Sequence, residues 1–388
     1  MAQIADSRQR AMSILRDERF LRVLGQVVFA IVVVLFASWC LGNYRGRGKT
    51  FSFSFLREEA SFDLGEGMAF SPVDPYWKAF IVGVLNTIKV AFFGIILATI
   101  LGTVTGVARL STNWLISNIA GVYIEIIRNT PVLVQLFFLY FAVILKLPEL
   151  RDRIVLPGPI FLSNRGINLV WPRPTASFGS WWPFLIGAIA VAAGIWVWRV
   201  LLERRTRRPT SRLPWTFIAL AVPLLGWFLV PGNPLYPDRP AVEGLRVVGG
   251  TSLSPEFAAI LFGLVIYTAA FIAEVVRAGI MAVPRGQTEA ARAQGFTEMQ
   301  ILQLVVLPQA IRIIIPPLIS QYLNLTKNSS LAIGIGFLDL YAVSNTMLFQ
   351  SGRVVEVFLM IMAAYLSMSL TISLVMNVVN RKLALVER

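Results

Sequence analysis

Residues 281–308 read MAVPRGQTEAARAQGFTEMQILQLVVLP. The stretch lies between two long apolar runs, yet it is too polar to cross a bilayer. Within it, Thr288-Glu289-Ala290-Ala291-Arg292-Ala293-Gln294 is rich in helix formers. Thr288 is placed to cap that short helix, with Glu289 near its positive end. Gly295 ends it, as a glycine just past a last helical turn does. A second short amphipathic helix is expected to reach Leu307, with Pro308 marking the turn into the next span. The small side chains of Ala290 and Ala291 leave a surface that a partner's groove can approach closely. The stretch reads as a helix made to be inserted into another protein, held between two membrane spans.

Outward from it, the chain contains eight runs of spanning length or near it, at 22–43, 80–108, 114–146, 183–202, 213–231, 254–280, 309–326 and 354–379. About twenty apolar residues cross the hydrocarbon core as a helix. Pro131 lies inside the third run, and Pro316-Pro317 interrupts the seventh. Each removes a backbone hydrogen bond and predicts a kink, tolerated where neighbouring helices cover it.

Composition agrees with a membrane bundle. Of 388 residues, 56% are apolar and only 14% charged, too little polar surface for a soluble chain of this size. The net charge of +14 does not point to nucleic acid, because bacterial membrane proteins concentrate Lys and Arg in cytoplasmic loops. There is no histidine and a single cysteine, Cys40, which excludes an internal disulfide and any His-based catalytic or metal site. The first apolar run is too long for an ordinary secretion signal and lacks a small-residue cleavage site, so an uncleaved anchor is expected.

Positive charge sets the orientation. Arg8, Arg10, Arg16, Arg19 and Arg22 precede or open the first span, and the 203–212 loop reads ERRTRRPTSR. Both fall inside when the amino terminus is cytoplasmic and the spans alternate, as do the 281–308 loop and the carboxy-terminal RKLALVER. The opposite loops, 44–79, 147–182 and 232–253, read as ordered surface loops rather than a domain. GNYRGRGKT at 42–50 ends like a phosphate-binding loop, but five residues rather than four separate Gly42 from its Gly-Lys, and a span precedes it. The chain therefore carries no ATP site of its own, and no metal site.

Charged residues inside the spans carry a second argument. Glu125 and Arg128 are three apart on one helix, as are Glu274 and Arg277, which places each pair on one face. Ionisable groups at membrane depth are costly and face protein or water. Two readings stand: structural clamps at the inner mouth, or a gate lining the path. Lys89 either snorkels or faces the interior. Lys327 lies among Asn324, Asn328, Ser329 and Ser330, a polar set suited either to an amino-acid zwitterion or to anchoring a helix end.

Glu289-Ala290-Ala291, then Gly295, then Val305-Val306-Leu307-Pro308, resembles the EAA loop of ABC importer permeases. YIEIIRNTPVLVQLFFLYF (123–141), LSPEFAAILFGLVIYTAAFIAEVVRAGI (253–280), NLTKNSSLAIGIG (324–336) and VLNTIKVAFFG (84–94) resemble segments of the polar amino-acid permeases, although many members have Asp where Asn328 stands. The likeness covers 78–146 and 253–380. The first span and the pair at 183–231 are extra, as in the longer permease subunits of general L-amino-acid importers.

This resemblance implies a type I permease bundle of about eight helices, three beyond a five-helix core, in the bacterial inner membrane with both termini cytoplasmic. It implies segments at 1–21 (tail), 22–79 (extra span and loop), 80–147 (core), 148–253 (inserted region), 254–380 (core with the 281–308 loop) and 381–388 (tail). Residues Glu289 to Phe296 (Ala290, Ala291, Arg292, Ala293, Gln294, Gly295) are expected to couple to cytoplasmic ATP-binding subunits, which hold ATP and Mg. Thr130, Pro131 and Gln135 join the charged and polar residues above as pathway or gate candidates. A second permease, a periplasmic amino-acid-binding protein, the amino acid and the bilayer complete the expected partners, with no nucleic acid. A self-contained secondary transporter or channel would explain the spans and buried charges but not the 281–308 loop.

Overall fold

A computed structural model describes residues 18–46, 51–65, 67–206, 213–244 and 246–383. Arg8, Arg10, Arg16, the Gly48-Lys49-Thr50 tripeptide, the basic loop at 207–212 and the tail from 384 lie outside the described residues.

Helices occupy all eight expected positions. They are α1 (Glu18–Gly46), α2 (Tyr76–Arg109), α3 (Trp114–Asn129) followed by α4 (Val132–Lys146), α5 (Phe178–Thr206), α6 (Leu213–Leu229) and α7 (Pro255–Met281). After α7 come the short α8 (Arg285–Ala293), then α9 (Glu298–Ile335), α10 (Leu340–Ser351) and α11 (Val354–Leu383). Helix α10 was not expected; the Asp339 carboxylate caps it by accepting from the Ala342 N–H at 2.9 Å. Among the described residues five helices are long and apolar enough to cross a membrane, and the α3–α4 pair makes a sixth if its two parts count as one span.

The kink expected in the third run is a sharp break. Its halves meet at 108°. Proline disfavours the helical conformation in the residue before it, and Thr130 is accordingly extended, at φ −108° and ψ 133°. The prolines of α9 act differently. Helix runs from Glu298 through Pro308 and Pro316-Pro317, so Pro308 marks no turn. Ahead of it, Ile301–Val306 widens into a π-helical turn, which relieves the clash a proline ring makes with the preceding turn.

The centre of the bundle is the packing of α2 on α7. Gly94, Ala98, Gly102 and Gly106 recur every fourth residue and form one buried stripe. A Cβ on Gly102 would lie 2.8 Å from the Ala269 carbonyl oxygen, and one on Gly106 only 2.6 Å from that of Ala273. The residue numbers rise together, so α2 and α7 run parallel with their backbones in close approach, as small-xxx-small faces allow. Antiparallel α9 crosses both: Gly279 faces Ile314, Thr99 bonds Tyr322 at 2.9 Å, and Gly94 faces Leu325.

At the end where α7 begins, a second core gathers Phe55, Ala60, Leu64, Tyr76, Val343, Met347, Val357 and Ile361. The loops here are not plain surface loops. Strands β1 (Ile154–Leu156), β2 (Ile160–Ser163), β3 (Gly166–Leu169) and β8 (Thr251–Leu253) form an antiparallel sheet in that order. Strands β4 (Trp171–Pro174) and β5 (Leu235–Asp238) pair, as do β6 (Ala241–Glu243) and β7 (Arg246–Val248). Between β4 and β5, α5 and α6 form a hairpin pinned where the Trp181 indole donates to the Pro223 carbonyl at 3.0 Å.

Candidate coupling and translocation site

At the other end of α7 lies the loop that carries α8. Helix α8 begins directly after Pro284, one turn earlier than Thr288 would start it, and Thr288 is inside it, its hydroxyl donating to the Arg285 carbonyl at 2.7 Å. Its termination is as expected. Gly295 takes φ +84°, its N–H donates to the Arg292 carbonyl at 2.9 Å, and the Phe296 N–H reaches back to the Ala291 carbonyl at 3.2 Å. This is the Schellman pattern, which satisfies carbonyls the helix end leaves open.

The two alanines do not share a face. Ala291 is buried against the core that includes Ile301 and Val306, while Ala290 is exposed together with Glu289, Ala293 and Gln294. Phe296 and Met299 extend this exposed surface with apolar side chains. Arg292 spans the Gly295 turn, donating from Nε to Glu298 at 2.8 Å and from Nη2 at 3.1 Å. Those hydrogen bonds hold the Glu298 carboxyl below the ordinary carboxylate value. Thr297 and Gln300 form a reciprocal capping box that restarts the helix. The T-x-x-Q spacing of this box is visible in the sequence.

One level into the bundle, Glu274 and Arg277 form a bidentate ion pair, with Nε to Oε2 at 3.0 Å. Arg128 and Arg109 also lie close enough to act on Glu274. Arg109 is held by the Ser117 carbonyl at 3.1 Å. Glu125 and Arg128 do not form the matching pair. Both are exposed, and the Arg128 guanidinium rests over the Phe271 ring at 5.4 Å instead. Helical spacing put the two on one face, but α3 packs with Tyr123 bonded to the Ile266 carbonyl at 2.7 Å, which brings Arg128 onto α7.

The Thr130-Pro131 break is organised by Gln135. Its amide donates to the carbonyls of Ile127 at 2.8 Å and Thr130 at 2.9 Å, and Thr130 Oγ1 donates to Ile126 at 2.8 Å. One side chain thus satisfies acceptors that the break opens. Thr130 and Gln135 line an apolar cavity of about 440 Å³ with Ile127, Val134, Leu139 and Ile266.

The polar set around Lys327 sits where α9 tightens into a 3-10 turn, Ser329–Ile335, closed by Gly336 at φ +82°. Ser329 is buried and donates to the Thr326 carbonyl at 2.9 Å; Ser330 donates to that of Lys327 at 2.8 Å. Asn324 and Lys327 are exposed and Asn328 is half-buried. Lys89 faces inward, its ammonium 4.2 Å from the centre of the Phe257 ring. Sequence reasoning missed Asn86 and Thr87, whose side chains bond Leu338 and Leu340 at 2.8 and 3.0 Å, and buried Asp339, bonded by Tyr365 at 3.2 Å. Their signal was present only for Asp339, an N-cap residue before an apolar run. Among the described residues no group of His, Cys, Asp and Glu could hold a metal ion.

Residues 213–385 match the family described as binding-protein-dependent transport system inner membrane component. Similar along nearly its whole length is the general L-amino acid transport system permease protein AapQ of Rhizobium johnstonii, 44% identical over 385 residues, covering 97% of this chain and 95% of the relative. The putative amino-acid ABC transporter permease protein YhdX of Escherichia coli is 42% identical over 374 residues, covering 94% of each. The glutamate/glutamine/aspartate/asparagine transport system permease protein BztB of Rhodobacter capsulatus is 39% identical over 419 residues, covering 98% of this chain and 97% of the relative. The multi-span bundle, the loop ended at Gly295 and these likenesses along the full length agree: the chain belongs to the amino-acid ABC importer permeases, membrane subunits of systems whose ATPase is a separate polypeptide.

Proposed function

We propose that the chain forms one half of the translocation pathway of an L-amino-acid importer. Its amino and carboxy termini face the cytoplasm of a bacterial cell, and its sheet-bearing end faces the periplasm. A periplasmic binding protein delivers the amino acid to that end, a second homologous permease completes the pathway, and two cytoplasmic subunits hydrolyse Mg-ATP.

The observation that carries this reading is the α8 loop. Glu289, Ala290, Ala293 and Phe296 present a small outward face, while Ala291 and the Arg292–Glu298 bridge fix the loop to α9. A rigid lever of this kind passes a partner's motion into the spans, because it joins the end of α7 to the start of antiparallel α9, and both helices rise from it into the bundle. Higher in the path, Glu274 with its surrounding arginines makes the inner gate, Gln135 holds the α3–α4 break open, and Lys327 with Asn324, Asn328, Ser329 and Ser330 sets the field that the substrate carboxylate crosses.

The test is ATP hydrolysis by the reconstituted complex with and without binding protein and amino acid. Glu289→Lys reverses a charge on the outward face and is expected to abolish stimulation while membrane insertion persists. Full stimulation in that variant, or ATP hydrolysis by this chain alone, overturns the reading.

A further inference from the structure

The outward side of α3 carries a charge that nothing in the described chain answers. Val122, Glu125, Ile126, Arg128 and Asn129 are all exposed there. Arg128 is engaged, since its guanidinium lies over the Phe271 ring and close enough to Glu274 to act on it. Glu125 is not. Among the described residues its carboxylate has no hydrogen-bond or ion-pair partner.

The contacts of α3 with α7 fix the depth of this carboxylate. Tyr123 bonds the Ile266 carbonyl, and Arg128 rests on Phe271. Both partners lie near the middle of α7, Pro255–Met281, whose 27 residues extend about 40 Å. Glu125 stands between those two contacts, so it is at mid-span, where a carboxylate facing lipid tails is costly. Beside it, the 108° bend between α3 and α4 opens the apolar cavity already described, whose rim includes the exposed side chains of Ile126, Val134 and Phe138. One side of the bundle thus combines a concave apolar surface with a single unanswered acid. A lipid tail fills such a notch but brings no counter-charge to mid-depth. A helix that carries apolar side chains and one Lys or Arg satisfies both features.

We propose that this side of α3 is the seam with the second permease, and that a Lys or Arg of that subunit pairs with Glu125 while its apolar side chains enter the α3–α4 notch. The inference rests on the importer reading above, which supplies the partner; it adds the surface and the charge that the partner meets. A single ion pair shielded from water also fixes the register of the two subunits, because a shifted register leaves two charges without partners.

The whole complex is purified through a tag on this chain, and the second permease retained with it is quantified. Glu125→Lys sets like charges across the seam and is expected to lower retention tenfold or more, with Glu125→Gln lowering it less. Two further measurements keep assembly intact. A benzophenone photoprobe in place of Val122 is expected to form a covalent adduct with the second permease. Glu125→Cys, made in a Cys40→Ala background, is expected to resist a water-soluble methanethiosulfonate reagent in the assembled complex. Unchanged retention in Glu125→Lys overturns the ion pair, and a photoprobe that captures only lipid overturns the seam. Rapid labelling of Glu125→Cys overturns the proposal too, because the carboxylate then faces an aqueous path. A wild-type complex that contains no second permease overturns the importer reading along with this one, whereas any of the other failures in a complex that retains it overturns this inference alone.

Discussion

The backbone N–H of Phe296 donates to the carbonyl of Ala291, 3.2 Å away, and this closure requires the left-handed Gly295 between them. No atom lies within 4 Å of a Cβ built on Gly295, so a substitution there acts through conformation alone. A β-branched residue in that region costs about 1–2 kcal/mol or more. Gly295→Val is expected to insert and assemble as wild type but to lose most substrate-stimulated ATP hydrolysis. Unchanged stimulation would show that the orientation of α8 is not what transmits the signal.

Gly106 tests the core instead. A Cβ there meets backbone 2.6 Å away and cannot be accommodated by a side-chain rotation. Gly106→Val should force α2 off α7 and lower the yield of folded chain, by several kcal/mol on the scale of overpacked cores. Gly25→Ala, in an open stretch of α1, is the matched control and should leave thermal stability within experimental error. Thermal unfolding of detergent-purified protein reads both.

The charged cluster gives an asymmetric pair of variants. Glu274→Gln leaves Arg277 without its bonded carboxylate and Arg128 and Arg109 without the nearby negative charge. Removing one partner of a part-buried ion pair costs about 3 kcal/mol in unfavourable cases. Arg128→Ala removes an exposed ring contact and one of the charges beside Glu274 but leaves the bonded Arg277 in place, and should cost well under half as much. Complex yield and amino-acid uptake measured together decide this, and equal effects would contradict the asymmetry.

Acid should loosen the α8 loop before the bundle. The Glu298 carboxyl titrates below its ordinary value because Arg292 bonds it. A group whose value is lowered in the folded state contributes its stabilisation above the unfolded value, near 4.5, and loses it as pH falls through the folded value. The bridge is therefore intact at neutral pH. Hydrogen exchange at Thr297–Gln300 is expected to rise only below the ordinary Glu range, and Glu298→Gln should show the faster exchange at pH 7 already.

The spans were legible because a twenty-residue apolar run has few alternatives to a transmembrane helix. What a proline does within such a run was not. Pro131 turns the chain by 108° because Gln135 takes up the freed carbonyls, whereas Pro316-Pro317 leaves α9 helical. The local rule is the same; the side chain that makes the break tolerable differs. The Gly94–Gly106 stripe is visible in the sequence, but the face of α7 it meets is not. Likewise, the positions of Glu125 and Arg128 follow from helical spacing, while the choice of Phe271 over Glu125 depends on how α3 lies on α7. In the 281–308 loop, Gly295 was read correctly because its role is local, and Ala291 was misread because its burial is supplied by Ile301 and Val306.

The ladder between β3 and β8 sets Leu169 opposite Thr251, at the spacing of neighbouring strands. The chain therefore leaves the core and returns to it through one doorway. Everything between those residues, including the α5–α6 hairpin, can be lengthened, exchanged or excised with the ladder closed by a tight turn, and the path from α4 to α7 is preserved. The inserted module hangs from this doorway, so a change in its length need not move the spans around the passage.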